Sequence, residues 1–152
     1  MTLKQLSSVF ITSLLCVSAN VYANNSELIL GKWNCDVSTV QDGLNVDMTI
    51  NQNYLKNGVN NGSAIMAVTN EAIGLDVAFN IEADSNWHIE GNFIYETLTG
   101  GSFESLKPSP FDAMFTKEQM LPIGEQEVAE ILELTQSSLK VLAQGIEMQC
   151  NR

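Results

Sequence analysis

The chain has 152 residues, of which 7 are lysine or arginine and 18 are aspartate or glutamate, so its formal net charge is −11. This length is typical of one domain. Hydrophobic residues make up 45% of the sequence, which is enough for a packed core. An anionic chain with a pI near 4.2 binds nucleic acid and anionic membranes poorly, so we expect neither as a partner.

The first segment, residues 1–23, has the pattern of a secretory signal peptide. Lys4 supplies the positive charge, residues 9–17 form an apolar run, and Ala23 ends a small-residue cleavage pattern. The alternative, an uncleaved anchor, is disfavoured because the run is too short to span a bilayer. We therefore expect no stable membrane insertion, and a single domain over residues 24–152 that is periplasmic or secreted.

From Lys32 onward, apolar and polar residues alternate with the period of two that indicates half-buried β-strands. The first run begins at Trp33, and Asp42-Gly43 forms a hairpin signal before the second run, residues 44–54. Further runs up to residue 97 give six strands in a meander. The turns between the later runs are predicted at Lys56-Asn57-Gly58, Asn60-Asn61-Gly62, Asp84-Ser85-Asn86 and Gly91-Asn92.

Residues 100–124 break this alternation and contain all three prolines of the chain. Ser109 followed by Pro110 is typical of a helix start, with serine as the cap and proline in the first turn. We therefore predict a short helix over residues 110–120, with a second helical turn over residues 125–129. The apolar residues at helical spacing are Phe111, Met114 and Phe115.

Alternation returns near the end of the chain, and Gly145 marks a bulge or tight turn before the last strand. Cys35 lies on the apolar face of the first strand and Cys150 on that of the last. In an oxidising compartment this pair indicates a disulfide; the alternative is two buried free thiols. Because a disulfide would join the end strands, we predict an all-β fold: a closed, up-and-down antiparallel β-barrel of eight to nine strands.

The opening Gly31-Lys32-Trp33 resembles the Gly-x-Trp start of lipocalins. Together with the closing residues 147–152, it makes the chain similar to a group of uncharacterised, secreted bacterial lipocalin-like (calycin-like) barrels. The resemblance implies that Gly31 and Trp33 lie at the closed end of the barrel, with an arginine from a late strand on the tryptophan. Arg152 is the only arginine in the sequence and hence the candidate. The resemblance implies no substrate.

Sequence patterns that carry catalysis are missing. The chain has no glycine-rich phosphate loop, no CxxC, no HExxH and no GxSxG. The single histidine, His88, lies between Trp87 and Ile89 and is expected to face solvent. The carboxylates mostly alternate with apolar residues, and no segment has the EF-hand pattern of a calcium site. We therefore predict no enzyme activity, no cofactor and no metal site.

The interior of the barrel is the remaining candidate functional surface. An eight-stranded barrel is either just filled by side chains or holds one small ligand, and the sequence leaves both readings open. If a cavity exists, we predict a carrier of a small hydrophobic ligand such as a fatty acid, an isoprenoid or an apolar signal. Residues 111–115 then form its lid; otherwise they pack over one end of the sheet. The candidate cavity and lid residues are Trp33, Met48, Met66, Phe79, Trp87, Tyr95, Phe111, Met114 and Phe115.

A second hypothesis uses the outside of the barrel. A strongly anionic surface steers association toward a cationic protein. Small secreted bacterial barrels that inhibit lysozyme are similar in size, disulfide use and acidity. The alternative function is therefore an anionic protein-interaction module.

Overall fold

The computed structural model describes residues 25–152, and the predicted signal peptide over residues 1–23 lies outside them. Within the described residues, eight antiparallel strands follow one another around a closed barrel, so the predicted fold class is confirmed. No helix in this part of the chain is long and apolar enough to cross a membrane. The elements are α1 (Asn25–Leu28), β1 (Gly31–Gln41), β2 (Leu44–Tyr54), β3 (Val59–Asn70), β4 (Leu75–Glu90), β5 (Phe93–Ser105), α2 (Lys117–Met120), β6 (Gln126–Leu134), β7 (Ser138–Ala143) and β8 (Ile146–Asn151).

Two of the hairpins have the backbone angles that tight turns between twisted strands require. Asp42 and Gly43 have φ values of 51° and 79°, and Gln144 and Gly145 have φ values of 51° and 81°. Positive φ at both central residues is typical of the type I′ turn, which matches the twist of the flanking strands. The turns predicted at Asp42-Gly43 and at Gly145 are therefore confirmed.

β1 and β8 close the barrel over three residue pairs, the shortest pairing in the barrel, and a disulfide joins the middle pair. Cys35 lies directly opposite Cys150, with a Cα–Cα distance of 4.0 Å and bonded sulfurs. The flanking pairs are Asn34–Asn151 and Asp36–Gln149. The predicted disulfide is confirmed, and it lies at the seam that turns the meander into a barrel.

Trp33 closes one end of the barrel and is fully buried. Its indole Nε1 donates to the carbonyl oxygen of Ile29 at 2.7 Å. The Arg152 guanidinium lies over the indole, 4.1 Å from the ring centroid, and donates to the carbonyl of Leu28 at 2.8 Å. Gly31 has a φ of 105°, and a Cβ there would lie 3.4 Å from the same guanidinium. The arrangement of Gly31, Trp33 and Arg152 that the resemblance implies is present.

Three stretches that were predicted as turns are strand instead. Residues 60–62 belong to β3, residues 84–86 belong to β4, and residues 126–129 begin β6 rather than a helical turn. Asn60 and Ser85 are only 3% and 2% exposed, and both make hydrogen bonds inside the barrel. Polar side chains that face a polar part of the interior interrupt the apolar alternation, which made these strand segments resemble turns.

β5 continues to Ser105, past the residues at which the alternation breaks. The register between β4 and β5 shifts at Asp84, since Thr99 has no partner in the pairing. This β-bulge moves the apolar phase by one residue. Gly101 permits a close approach of the β5 backbone to the β4 backbone at this bulge. Its φ is 152°, and a Cβ there would overlap the carbonyl oxygen of Glu82.

The bulge predicts a sharp difference between two adjacent glycines. We expect Gly101→Ala to lower the free energy of unfolding by about 1–3 kcal/mol, because the new Cβ would press on the backbone of β4. Gly100→Ala is the control, since the nearest atom to a Cβ there is the flexible Oδ2 of Asp84 at 3.9 Å. Urea denaturation measures both variants, and equal stabilities would contradict the bulge geometry.

Residues 106–125 cross the second end of the barrel, where the sequence predicts one helix over residues 110–120. The structure has two shorter elements there, a 3₁₀ turn at Asp112–Met114 followed by α2. The Ser109 hydroxyl accepts from a backbone N–H two residues later, which favours a local turn. Thr116 then starts α2 with a capping box. The prediction of helical structure in this connection is therefore correct, but its single continuous helix is wrong.

Candidate ligand cavity

The apolar core falls into two clusters that lie toward the two ends of the barrel. The first surrounds Trp33 at the closed end, and the second surrounds Phe79 beneath the 106–125 connection. A cavity of about 240 Å³ lies between them, so side chains do not fill the barrel completely. Its apolar lining consists of Met48, Ile50, Ala64, Ile81, Ala83, Leu98, Met120 and Leu121.

The opposite wall of the cavity is polar and is centred on Glu96. Its Oε1 accepts a hydrogen bond from the Tyr54 hydroxyl at 2.5 Å. Its Oε2 accepts from Asn60 Nδ2 at 3.1 Å and from Ser85 Oγ at 2.9 Å. Asn60 is held in turn, because its Oδ1 accepts from the backbone N–H of Asn53 at 3.0 Å. The network fixes the Glu96 carboxylate in one orientation.

The Tyr54 hydroxyl makes the shortest hydrogen bond to Glu96 in this network. Burial raises its pKa well above the usual value, and the negative charge of Glu96 raises it further. Tyr54 therefore stays protonated and keeps donating to Glu96 across the neutral and mildly alkaline range.

Glu127 faces the same cavity from β6, directly opposite Glu96 in the β5–β6 pairing. Lost hydration raises the pKa of Glu127, and the charges of Glu96 and Glu125 raise it further. The side chain is nevertheless exposed, so Glu127 marks the place where the cavity reaches solvent. Gln144 donates to its Oε1 at 3.5 Å. Two carboxylates therefore face one cavity, and none of the described residues that line it is a lysine or an arginine.

The raised pKa of Glu127 predicts a pH-dependent stability. Above the ordinary pKa of 4.5, the folded protein holds this proton more tightly than the unfolded chain, so stability falls as pH rises through the window between the two pKa values. Glu127→Gln removes this loss. We expect the variant to exceed wild type in melting temperature at neutral pH, with the difference vanishing as pH falls below the window.

Calorimetry over a pH series measures this difference. Glu130→Gln is the matched control, since Glu130 lies on the same strand opposite the exposed Phe93 and faces outward. A Glu127→Gln variant whose melting temperature stays parallel to that of wild type at every pH would contradict the expectation.

A second cavity, of about 190 Å³, lies beside the first toward the disulfide. Cys35, Cys150 and the apolar side chains of the first cluster line it. Ile50, Gln52 and Glu127 line both cavities. The unfilled interior therefore extends along the barrel from beneath α2 to the disulfide, with these three residues at the junction.

The predicted cavity residues are mostly core. Met48 lines the larger cavity, whereas Met66 and Phe79 are almost fully buried inside the second cluster. Trp33 closes the end of the barrel and does not line either interior cavity. Trp87 is half-buried and packs edge-on against the Tyr54 ring, with centroids 5.3 Å apart.

Tyr95 lies on the outer face of the barrel, contrary to the prediction that it lines the interior. It stacks on the exposed His88, with ring centroids 5.0 Å apart. The two-residue turn at Gly91-Asn92 could have revealed this, because it pairs residue 90 with 93 and hence Trp87 with Glu96. Since Trp87 faces inward, Glu96 must do so as well, and Tyr95 must face outward.

The predicted lid covers the second cluster rather than the cavity. Phe111 and Phe115 pack against this cluster, and the Phe115 ring lies 5.2 Å from that of Phe79. Met114 is 58% exposed, because the 3₁₀ turn ends there and the helical spacing does not continue. Met120 and Leu121, at the end of α2, cover the cavity instead.

No family model matches the chain, and no curated protein matches it either. Within residues 25–152, no three histidine, cysteine, aspartate or glutamate side chains come together as metal ligands. The chemistry of the cavity is therefore the basis on which a function can be assigned.

Proposed function

We propose that this protein binds a small ligand with an apolar part inside its barrel, and that it carries or sequesters this ligand without catalysis. The cavity of about 240 Å³ between Met48 and Leu121 is the observation that carries the proposal. Apolar lining supplies hydrophobic binding energy, and the adaptable side chains of Met48 and Met120 suit a ligand of variable shape.

We propose further that the chain is a lipocalin-like barrel of the periplasm or the extracellular space. The packing of Arg152 on Trp33 beside Gly31 supports the relationship. The Cys35–Cys150 disulfide supports the location, because disulfides form and persist in oxidising compartments.

The volume favours a compact ligand. Pockets for drug-sized molecules enclose about 300–1,000 Å³, so a cavity of about 240 Å³ suits a short alkyl chain or a single ring. The neighbouring cavity of about 190 Å³, which shares Gln52 and Glu127 with the first, leaves room for a somewhat longer molecule.

A titration with 1-hexanol followed by ¹H–¹⁵N NMR tests the proposal. We expect saturable shifts of the amides of Met48, Ile81, Leu98 and Leu121. Ala83→Leu fills part of the cavity and should weaken binding by about tenfold, the effect of losing roughly 1.4 kcal/mol of contact energy. Ala78→Leu is the matched control, since Ala78 lies on the outer face of the same strand.

Either of two results would contradict the proposal. If no amide around the cavity shifts, or if Ala83→Leu binds 1-hexanol as well as Ala78→Leu, the barrel interior is not a binding site. Thermal melts of both variants establish that each is folded before the affinities are compared.

A second candidate function, binding of a cationic protein, is favoured by a groove on the outer face. The groove encloses about 700 Å³ across β1–β5; Glu82 and Asp84 line it from β4, and Lys32 lines it from β1. Carboxylates in a concave surface suit a lysine or arginine side chain of a partner. Inhibition of lysozyme at low ionic strength that disappears at about 300 mM salt and in Asp84→Asn would support it; no inhibition at low salt would contradict it.

A further inference from the structure

We propose that the ligand of this cavity is a small organic cation: an amine with a short apolar body, whose ammonium group binds between Glu96 and Glu127. The inference rests on the proposed function and specifies its ligand. Three observations support it: the two carboxylates converge on one space, each can accept further hydrogen bonds, and apolar side chains line the rest of that space.

The two carboxylates converge on one space. Glu96 on β5 and Glu127 on β6 are direct partners across the sheet, and both line the larger cavity. Side chains of directly opposed residues have Cβ atoms about 4.5–5.5 Å apart. One ammonium group with its three donors can therefore reach both.

Both carboxylates keep acceptor capacity for a ligand. Glu96 accepts three hydrogen bonds, from Tyr54, Asn60 and Ser85, and a carboxylate offers about four acceptor positions. Glu127 accepts one long hydrogen bond from Gln144, at 3.5 Å. Glu96 is thus held in place by protein donors, while Glu127 is the freer of the two.

Electrostatics select for positive charge at this position. None of the described residues that line the cavity is a lysine or an arginine. Like charges directly opposite each other on a sheet are destabilising, and the interaction is stronger where water is partly excluded. A cation between Glu96 and Glu127 is attracted to both carboxylates and offsets their mutual repulsion. An anionic ligand would add a third negative charge.

The apolar wall of the cavity favours an organic cation over a metal ion. Ile81, Leu98 and Leu121 line the same space as the carboxylates and offer no oxygen ligands from their side chains. Calcium takes six to eight oxygen ligands, and most acceptor positions of Glu96 are already occupied. The alkyl or ring body of an organic cation can pack against these apolar side chains while its ammonium group binds the carboxylates.

Calorimetric titrations with hexylammonium, 1-hexanol and hexanoate at neutral pH test the inference, because the three probes share an apolar chain and differ in charge. We expect hexylammonium to bind wild type at least about tenfold more tightly than 1-hexanol, since charge-assisted hydrogen bonds are the stronger ones. Hexanoate should bind most weakly. Calcium chloride alone should give no saturable heat.

Two isosteric variants and one control locate the effect. Glu127→Gln and Glu96→Gln should each weaken hexylammonium binding by about tenfold or more, and hexylammonium should lose its advantage over 1-hexanol in both variants. Glu130→Gln removes a negative charge from the outer face of the same strand and should change neither. Glu127 is exposed, so its substitution does not threaten the fold.

The outcomes separate this inference from the proposed function. Equal affinities for hexylammonium and 1-hexanol, tighter binding of hexanoate, or saturable calcium binding would overturn the cationic ligand while the cavity still binds. If none of the three organic probes binds, the proposed function fails and the inference fails with it.

Discussion

Replacement of both Cys35 and Cys150 by alanine is expected to lower the free energy of unfolding by about 2–5 kcal/mol. The disulfide joins residues 115 positions apart, and closing a long loop restricts the unfolded chain strongly in the chain-entropy account. The seam that it crosses has three residue pairs, so few backbone hydrogen bonds compensate for its loss. Urea denaturation followed by circular dichroism measures the change.

Reduction provides the control for this experiment. Dithiothreitol should shift the denaturation curve of wild type toward that of the double variant and leave the variant itself unchanged. Hydrogen exchange of the amides at residues 34–36 and 149–151 should accelerate more than exchange elsewhere, because the barrel opens along this seam. A double variant as stable as oxidised wild type would contradict the role assigned to the disulfide.

Replacement of Trp33 by alanine is expected to cost about 3–5 kcal/mol. The indole is fully buried at the closed end. Its loss also removes the hydrogen bond to the carbonyl of Ile29 and the surface on which Arg152 lies. The barrel would then lose the side chain that fills its closed end and the hydrogen bond that holds the segment before β1. Calorimetry of the purified variant measures the change.

Trp33→Phe separates the two contributions of this side chain. Phenylalanine keeps a ring face for Arg152 but leaves the Ile29 carbonyl without its donor, so we expect a smaller loss of about 1–3 kcal/mol. If Trp33→Ala unfolds with the same free energy as wild type, this end of the barrel is not held as described.

The sequence predicts the barrel because most of its strands have one apolar and one polar face. In β2, the alternation from Leu44 to Tyr54 identifies the inward face correctly. The phase of Cys35 and Cys150 in the end strands then predicts both the disulfide and the closure. Period-two patterns fix register wherever one face is buried, which is why the meander and its seam were predictable.

The polar wall of the cavity was not predictable from alternation. Alternation reports burial through hydrophobicity, but Asn60, Ser85 and Glu96 face inward because other interior groups hydrogen-bond them. Their polarity made two strand segments look like turns and made Tyr95 look like the inward residue of β5. Counting residue pairs back from the two-residue turn at Gly91-Asn92 gives the correct inward residue, Glu96. The pairing between two strands, and not hydrophobicity, determines which face of the sheet a residue lies on.

The connection between β5 and β6 was predictable only as helical. Its helix bounds depend on contacts with the second cluster, which lies far away in sequence. Met120 and Leu121 cover the cavity because the chain turns at Thr116 and starts a new helix there. Local sequence signals describe each short turn, but tertiary packing decides which side chains face the barrel.

The proposed function requires that a small molecule occupy the space between the two apolar clusters. Intermolecular NOEs between hexylammonium and the methyl groups of the ¹³C-labelled protein test it most directly. We expect NOEs to Ile50, Ile81, Leu98 and Leu121, with the carbon next to the nitrogen lying nearest to β5 and β6. NOEs confined to outward methyl groups such as those of Ile65 and Val128, which are 48% and 43% exposed, would contradict it.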